Sequence, residues 1–214
     1  LFTGVPAKVW RDPYAVNQNR DETPQKSNGG RLVWDRIFGV PLQVQYTYRN
    51  IDIGSEKSGQ SLPWLTSSER DDLDRDGDRH IGEILYRFRF AKKHLLAPAF
   101  IYTNDDLDGE AMSGEAYDFQ LSYGYRGTPF TFTANAFIGF QDYDEDNPIY
   151  RKERDDDRYG AQGALYYQNP WGWKLFGSNP MNFFVNAAAV VIDSNIDFYE
   201  QEALIATGGV FLKW

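Results

Sequence analysis

From residue 30 onward, apolar and polar residues take turns along the chain, and the alternation restarts after each polar interruption. Leu42, Val44, Tyr46 and Tyr48 share one parity; Gln43, Gln45, Thr47 and Arg49 share the other. Gly82, Ile84, Tyr86, Phe88 and Phe90 alternate in the same way with Glu83, Leu85, Arg87 and Arg89. The pattern returns at 117–126, 130–141, 159–168 and 183–191, and again at Leu204, Ala206, Gly208, Val210, Leu212 and Trp214. A period of two predicts strands with one face in apolar surroundings. Less regular apolar segments at 31–38 and 95–103 bring the total to nine strands. A tenth at 1–9 is weakened by Gly4 and Pro6.

The segments between strands alternate too. Those at 10–28, 51–79, 104–115, 142–157 and 193–198 read as long, charged loops. Those at 39–41, 91–94 and 127–129 read as short turns, with a longer connection at 169–180. Counting back from Trp214 places every short turn on one side. That asymmetry is the pattern of an outer-membrane barrel, with short periplasmic turns and long external loops. The expected fold is therefore all-β: a single domain over residues 1–214, an antiparallel transmembrane up-and-down β-barrel. About ten strands are visible, and twelve or more are expected if further strands precede residue 1, this chain then being the C-terminal part of a longer barrel. Aromatic residues cluster at strand ends, as expected for two interfacial belts. Phe38, Phe90, Tyr125, Phe130, Trp171, Trp173 and Trp214 fall on the short-turn side, and Tyr48, Tyr102, Tyr117, Tyr143 and Tyr159 on the other.

Composition narrows the function classes. Lys and Arg number 22 against 31 Asp and Glu, giving 22 − 31 = −9, so charge does not draw the chain to nucleic acid. Cysteine is absent, which excludes disulfide and thiolate chemistry. No apolar run approaches the roughly 18 residues that mark a spanning helix.

The ending Thr207, Gly209, Leu212 and Trp214 resembles the C-terminal assembly signal of bacterial outer-membrane barrels, with Trp where Phe is usual. The stretches 9–14 (VWRDPY), 49–53 (RNIDI), 106–112 (DLDGEAM), 157–160 (DRYG) and 193–199 (DSNIDFY) together resemble a family of bacterial outer-membrane proteins known only as a domain of unknown function. The resemblance runs along the chain. It implies residence in the bacterial outer membrane, contact with outer-membrane lipids and lipopolysaccharide, and folding by the barrel-assembly machinery. It implies no activity and leaves the oligomeric state open.

Three kinds of site follow from the residues. Asp72, Asp74, Asp76 and Asp78, with Glu83 further on, match the spacing of a calcium-binding loop, in which alternate carboxylates converge around a glycine, here Gly77. Arg79 stands where such loops place an apolar residue, and Glu83 falls in a strand; an acidic, solvated loop is the alternative. Calcium is the one cofactor suggested. The inward parity holds Arg49, Glu83, Arg87, Arg89, Asp118, Arg126 and Arg158, a lumen lining of mixed charge. On that same parity Phe184, Ala188, Val190, Ile205 and Phe211 form an apolar patch suited to packing against a segment outside this chain, or to an apolar ligand. An enzyme is not expected: His80 and His94 fall at opposite strand ends, and neither is placed to activate Ser122. The leading expectation is a porin-like channel for small hydrophilic solutes. The alternative is a non-conducting surface barrel whose acidic loops bind calcium, lipopolysaccharide or an extracellular partner.

Overall fold

The computed structural model describes residues 2–3, 7–15, 21–55, 57–168, 172, 174–175 and 179–212. They form one antiparallel sheet of 13 strand segments. In chain order these are β1 (Phe2–Thr3), β2 (Ala7–Trp10), β3 (Glu22–Asp35), β4 (Leu42–Ile53), β5 (Gly77–Tyr86), β6 (Phe88–Phe90), β7 (His94–Leu107), β8 (Gly114–Arg126), β9 (Phe130–Asn147), β10 (Lys152–Gln168), β11 (Lys174–Leu175), β12 (Asn179–Ser194) and β13 (Gln201–Leu212). One short helix, α1 (Ser67–Asp71), lies between β4 and β5. Segments β1 and β2 both pair with β3, and β5 and β6 both pair with β7, so the sheet counts as 11 up-and-down strands. No pairing joins β1 or β2 to β13 among the described residues, and the sheet is open. Among these residues no helix is long and apolar enough to cross a membrane.

Register confirms the two parities as two faces. Trp34, Val44, Ile84, Phe100, Phe119, Ile138, Tyr159 and Val191 are successive cross-strand partners, an apolar row running around the outer face. This face is open: Phe119 is 52%, Val185 58% and Leu204 79% exposed. On the inner face, Gln43, Gln45 and Thr47 are 9% exposed or less. The usual ordering of a protein in water is thus inverted along these strands.

The strands are longer than the alternation suggested. The segment at 142–157 is largely strand, so that only 148–151 separates β9 from β10, and half of 104–115 is strand as well, whereas 195–198 lies between β12 and β13 where a loop was expected. Likewise the first half of β3, from Glu22, lies where a loop was expected at 10–28, while β2 falls almost entirely within the weak tenth segment at 1–9. The reason is physical. Beyond the apolar band both faces carry polar residues, so period two disappears from the sequence while backbone pairing continues. The loop at 51–79 is also not structureless, since it contains α1 and a packed core. Tyr143 is a further correction: it lies on the inner face at 8% exposure, not in an outer belt. Trp171, Trp173 and Trp214 lie outside the described residues.

Pro98 sits inside an interior strand, opposite Leu121 of β8. On its other flank the ladder is broken, pairing stopping at Leu85–Ala99 and resuming at Phe88–Leu96. The break falls where the proline has no N–H to donate.

Candidate functional site

The inner face carries ion pairs and amide contacts that cross from strand to strand. Arg158 of β10 donates to Asp118 of β8 at 2.9 Å, passing over Gly139 of the intervening β9. A Cβ on Gly139 would lie 1.9 Å from Asp118 Oδ1, so the pair exists because position 139 has no side chain. Arg87 reaches Gln43 at 2.7 Å and Asp35 at 3.3 Å. Arg31 donates to Gln45, whose Nε2 donates to Glu83 at 3.3 Å. Arg79 forks onto Asp105, with Nη2 to Oδ2 at 2.7 Å. Arg49 stands opposite Arg79 at the loop end of the sheet, while Arg89 and Arg126 border a cavity of about 270 Å3 with Lys92 and Lys93 at the turn end. Arg49, Glu83, Arg87, Arg89, Asp118, Arg126 and Arg158 thus share one face of the open sheet. Arg31, Asp35, Arg79, Asp105 and Asp156 had not been recognised. Most lie where the apolar partner parity lapses, and extending the strand parity outward would have found them.

At the loop end the connections form a cap. Tyr14, Leu62, Leu65 and Leu73 make a buried core, packed by Met112, Ile149, Tyr150 and Tyr199. Leu73 is fully buried, between two aspartates that face outward from the core. Asp12 ties the N-terminal segment to the 51–79 loop: one carboxylate oxygen accepts from the backbone N–H of Tyr14 and Gly59, the other from Ser61 at 2.8 Å. The Tyr14 and Tyr199 hydroxyls are 2.6 Å apart, and Asn147 Nδ2 donates to Tyr199 at 2.9 Å. Burial, above all, raises the Tyr14 and Tyr199 phenols above their ordinary range. Arg154 lies 3.6 Å above the Tyr199 ring and forks onto Asp156. A cavity of about 250 Å3 beneath the cap is lined by Val9 of β2 as well as by Tyr143 of β9, so the sheet curls at this end. The stretches 9–14, 106–112 and 193–199, which carried the family resemblance, all contribute to this cap.

The expected calcium loop is not assembled. Asp76 accepts from the Ile53 N–H at 2.6 Å, and Asp74 accepts from the Asp76 N–H at 3.1 Å. Asp72 ends α1. Asp78 points to the outer face, where Tyr48 and Asn50 each donate to it at 2.9 Å, and Glu83 is on the inner face. Adjacent positions of opposite parity cannot converge on one ion within a strand. Among the described residues no three His, Asp or Glu are grouped to hold a metal. Gly77 is nonetheless required: at φ +135°, its Cβ would stand 2.5 Å from the Asp106 carbonyl oxygen.

His80 and His94 are outer-face residues, each with Nδ1 at 2.7 Å from a tyrosine hydroxyl, Tyr46 and Tyr123 respectively. Ser122 faces inward and accepts from Asn135 Nδ2 at 2.8 Å. The histidines and the serine are on opposite sides of the sheet. Of the C-terminal pattern, Thr207 and Gly209 face inward, and Leu212 closes β13 opposite Met181. Gly209 has a packing role: the Phe184 ring occupies the space that a side chain there would need.

Comparison with curated proteins and with solved structures gave no match. A family model described as a protein of unknown function, DUF2860, matches residues 1–213, and the chain belongs to that family.

Proposed function

We propose that this chain forms the wall of a bacterial outer-membrane β-barrel that conducts small hydrophilic solutes in the manner of a porin. One observation carries the proposal: apolar side chains are exposed in rows around the outer face, while ion-paired and amide side chains such as Arg158, Asp118, Arg87 and Gln45 lie on the inner face, beside an apolar patch that includes Phe184 and Phe211. A continuous apolar surface of this kind is not tolerated in water and calls for an apolar medium around it. Aromatic contacts fit the two borders of that medium. Phe90, His94, Tyr125 and Phe130 form a row at the turn end, with centroids 5.0, 5.0 and 5.2 Å apart. Tyr102 and Tyr117 pair at 5.3 Å nearer the loops. From His94 to Tyr102 along β7 is about 26 Å at the ~3.3 Å rise of a strand, the scale of an apolar band. The pattern Thr207, Gly209, Leu212 and Trp214 supports assembly by the barrel-assembly machinery, with outer-membrane lipids and lipopolysaccharide as surroundings.

The packed cap favours a second reading, a non-conducting surface barrel whose acidic loops meet ions, lipopolysaccharide or another surface. Conductance of the refolded full chain in planar bilayers separates the two. Stable current steps support the channel. Silence from protein that has inserted and shows heat-modifiable electrophoretic mobility overturns it.

A further inference from the structure

Charge is distributed unevenly over the inner face. Arg31, Asp35, Arg79, Glu83, Arg87, Asp118 and Arg158 crowd the part built from β3 to β8 together with the loop-side half of β10. The turn-side half of β9 to β13 is different. With the adjoining parts of β7 and β8 it forms an open cavity of about 460 Å3 with no charged residue in its lining. Its hydrogen-bonding groups are uncharged hydroxyls and amides, chiefly Ser122, Asn135, Gln162, Asn186 and Thr207, drawn from five successive strands. Asn135 and Ser122 are bonded to one another. The amides of Gln162 and Asn186 make no side-chain hydrogen bond among the described residues.

Two inner-face rings, Tyr166 and Phe184, border the same cavity, and Phe211 stands beside Phe184 outside its lining. Tyr166, Phe184 and Phe211 stand on the inner faces of β10, β12 and β13, with centroid separations of 6.4 Å and 6.5 Å. Phe184, the middle ring, lies across Gly209 and borders the cavity. Beyond their contacts with one another and with Gly209, Tyr166 and Phe211 remain 41% and 42% exposed. They offer an apolar surface next to groups that both donate and accept hydrogen bonds.

We propose that this cavity binds a ring of a neutral saccharide. A sugar ring has an apolar C–H face and a rim of hydroxyls, each both donor and acceptor. Tyr166 and Phe184 take the C–H face, and Asn135, Gln162 and Asn186 take the hydroxyl rim. The absence of charge in the lining selects against ionic solutes, since amides and hydroxyls gain nothing from a carboxylate that water does not supply. A few placed polar groups around an apolar wall is the usual composition of a small-molecule site.

The inference deepens the channel reading by naming its solute, yet binding is measurable without conduction. The test is calorimetry of the refolded full chain in detergent, titrated with maltotriose, cellobiose and N,N′-diacetylchitobiose, with glucuronate as the charged control. At least one neutral sugar is expected to bind and glucuronate to bind more weakly. Phe184→Ala is expected to weaken binding tenfold or more, while Phe184→Tyr retains it; heat-modifiable mobility reports that each variant is folded. Binding to none of the neutral sugars, preferential binding of glucuronate, or unchanged binding in folded Phe184→Ala would each overturn the proposal. In bilayers, a conducting channel whose current the sugars leave unaltered counts against the saccharide site alone. Sugar binding by a silent protein counts against the channel alone.

Discussion

The hydroxyls of Tyr14 and Tyr199 meet at 2.6 Å across 185 residues of chain. Tyr14 follows β2 at one edge of the sheet, and Tyr199 precedes β13 at the other. The two edges share no backbone ladder among the described residues, so this phenol pair and the core around it are what bring the edge segments together at the loop end. Removing the Tyr14 hydroxyl leaves the buried Tyr199 phenol with only Asn147, which donates to it, and no acceptor for its own proton among the described residues. Tyr14→Phe is expected to cost about 1 kcal/mol of cap stability. Faster hydrogen exchange and proteolysis in the 57–66 segment would register the loosening, with β8 to β10 unchanged. Equal exchange in the two proteins would show that the pair does not hold the cap.

The same phenols give the cap an alkaline limit. Tyr14 and Tyr199 are raised above their usual 10.0, and Tyr150 is pushed up to about 12, in each case chiefly by burial. A raised acid favours the closed form fully below pH 10, and that contribution is lost as pH climbs toward the folded value. Spectrophotometric titration at 295 nm should therefore show a late-ionising set of tyrosines, and cap proteolysis should rise in the same window. Phenols that all ionise together near pH 10 would contradict the burial.

Glu69 sets the acid limit of the neighbouring loop. It accepts from the Thr66 backbone N–H at 2.8 Å, forming a capping box with Thr66, and pairs with Arg151 at 2.6 Å. Those backbone and side-chain bonds to Thr66, then Arg151, lower its carboxyl from 4.5 to about 2. A lowered acid stabilises above its unfolded value and loses that contribution as pH falls through about 2. Exchange of the α1 amides should stay slow from pH 7 to 4 and accelerate below. Glu69→Gln should exchange faster at pH 7 and lose the acid dependence; retention of that dependence would assign it to another group.

Gly139→Ala is expected to break the Asp118–Arg158 pair, because the new methyl group would occupy the position of the Asp118 carboxylate. Both side chains are under a quarter exposed, at 21% and 23%, and a loss of about 1–3 kcal/mol follows from separating them and straining the ladder. Gly82→Ala is the control, since nothing lies within 4 Å of its Cβ position. Thermal unfolding in detergent should separate the two variants. Equal melting would mean that Asp118 moves aside without cost.

In the turn after β6, Ala91 and Lys92 have φ of 47° and 57°, a left-handed pair without glycine. Such backbone costs about 1–2 kcal/mol per residue. Lys92→Gly is expected to recover about 1 kcal/mol of it, read as a higher melting temperature. A lower one would show that the lysine side chain contributes more than the strain removes.

Within the alternating segments the sequence by itself determined which face each residue takes; Tyr143, beyond the end of such a segment, escaped it. Period two has only two outcomes, so Gln45, Glu83, Asp118 and Arg158 were assigned inward from their neighbours alone. It also marked Gly77 and Gly209 as special, although for calcium binding and assembly, whereas the structure gives both a packing reason. Tertiary structure decided the rest. Arg79, Asp105 and Asp156 belong to strands, yet their surroundings are polar on both faces and leave no periodic trace. Tyr14, Leu73 and Tyr199 meet at one core, yet they come from three connections with no shared periodicity, and only the curl of the sheet brings them together. The Asp118–Arg158 pair depends on a glycine directly opposite both partners on the intervening strand, yet about twenty residues from either in sequence. Alternation is a local property written residue by residue. Contacts between loops and across a strand depend on register and curvature, which belong to the whole sheet.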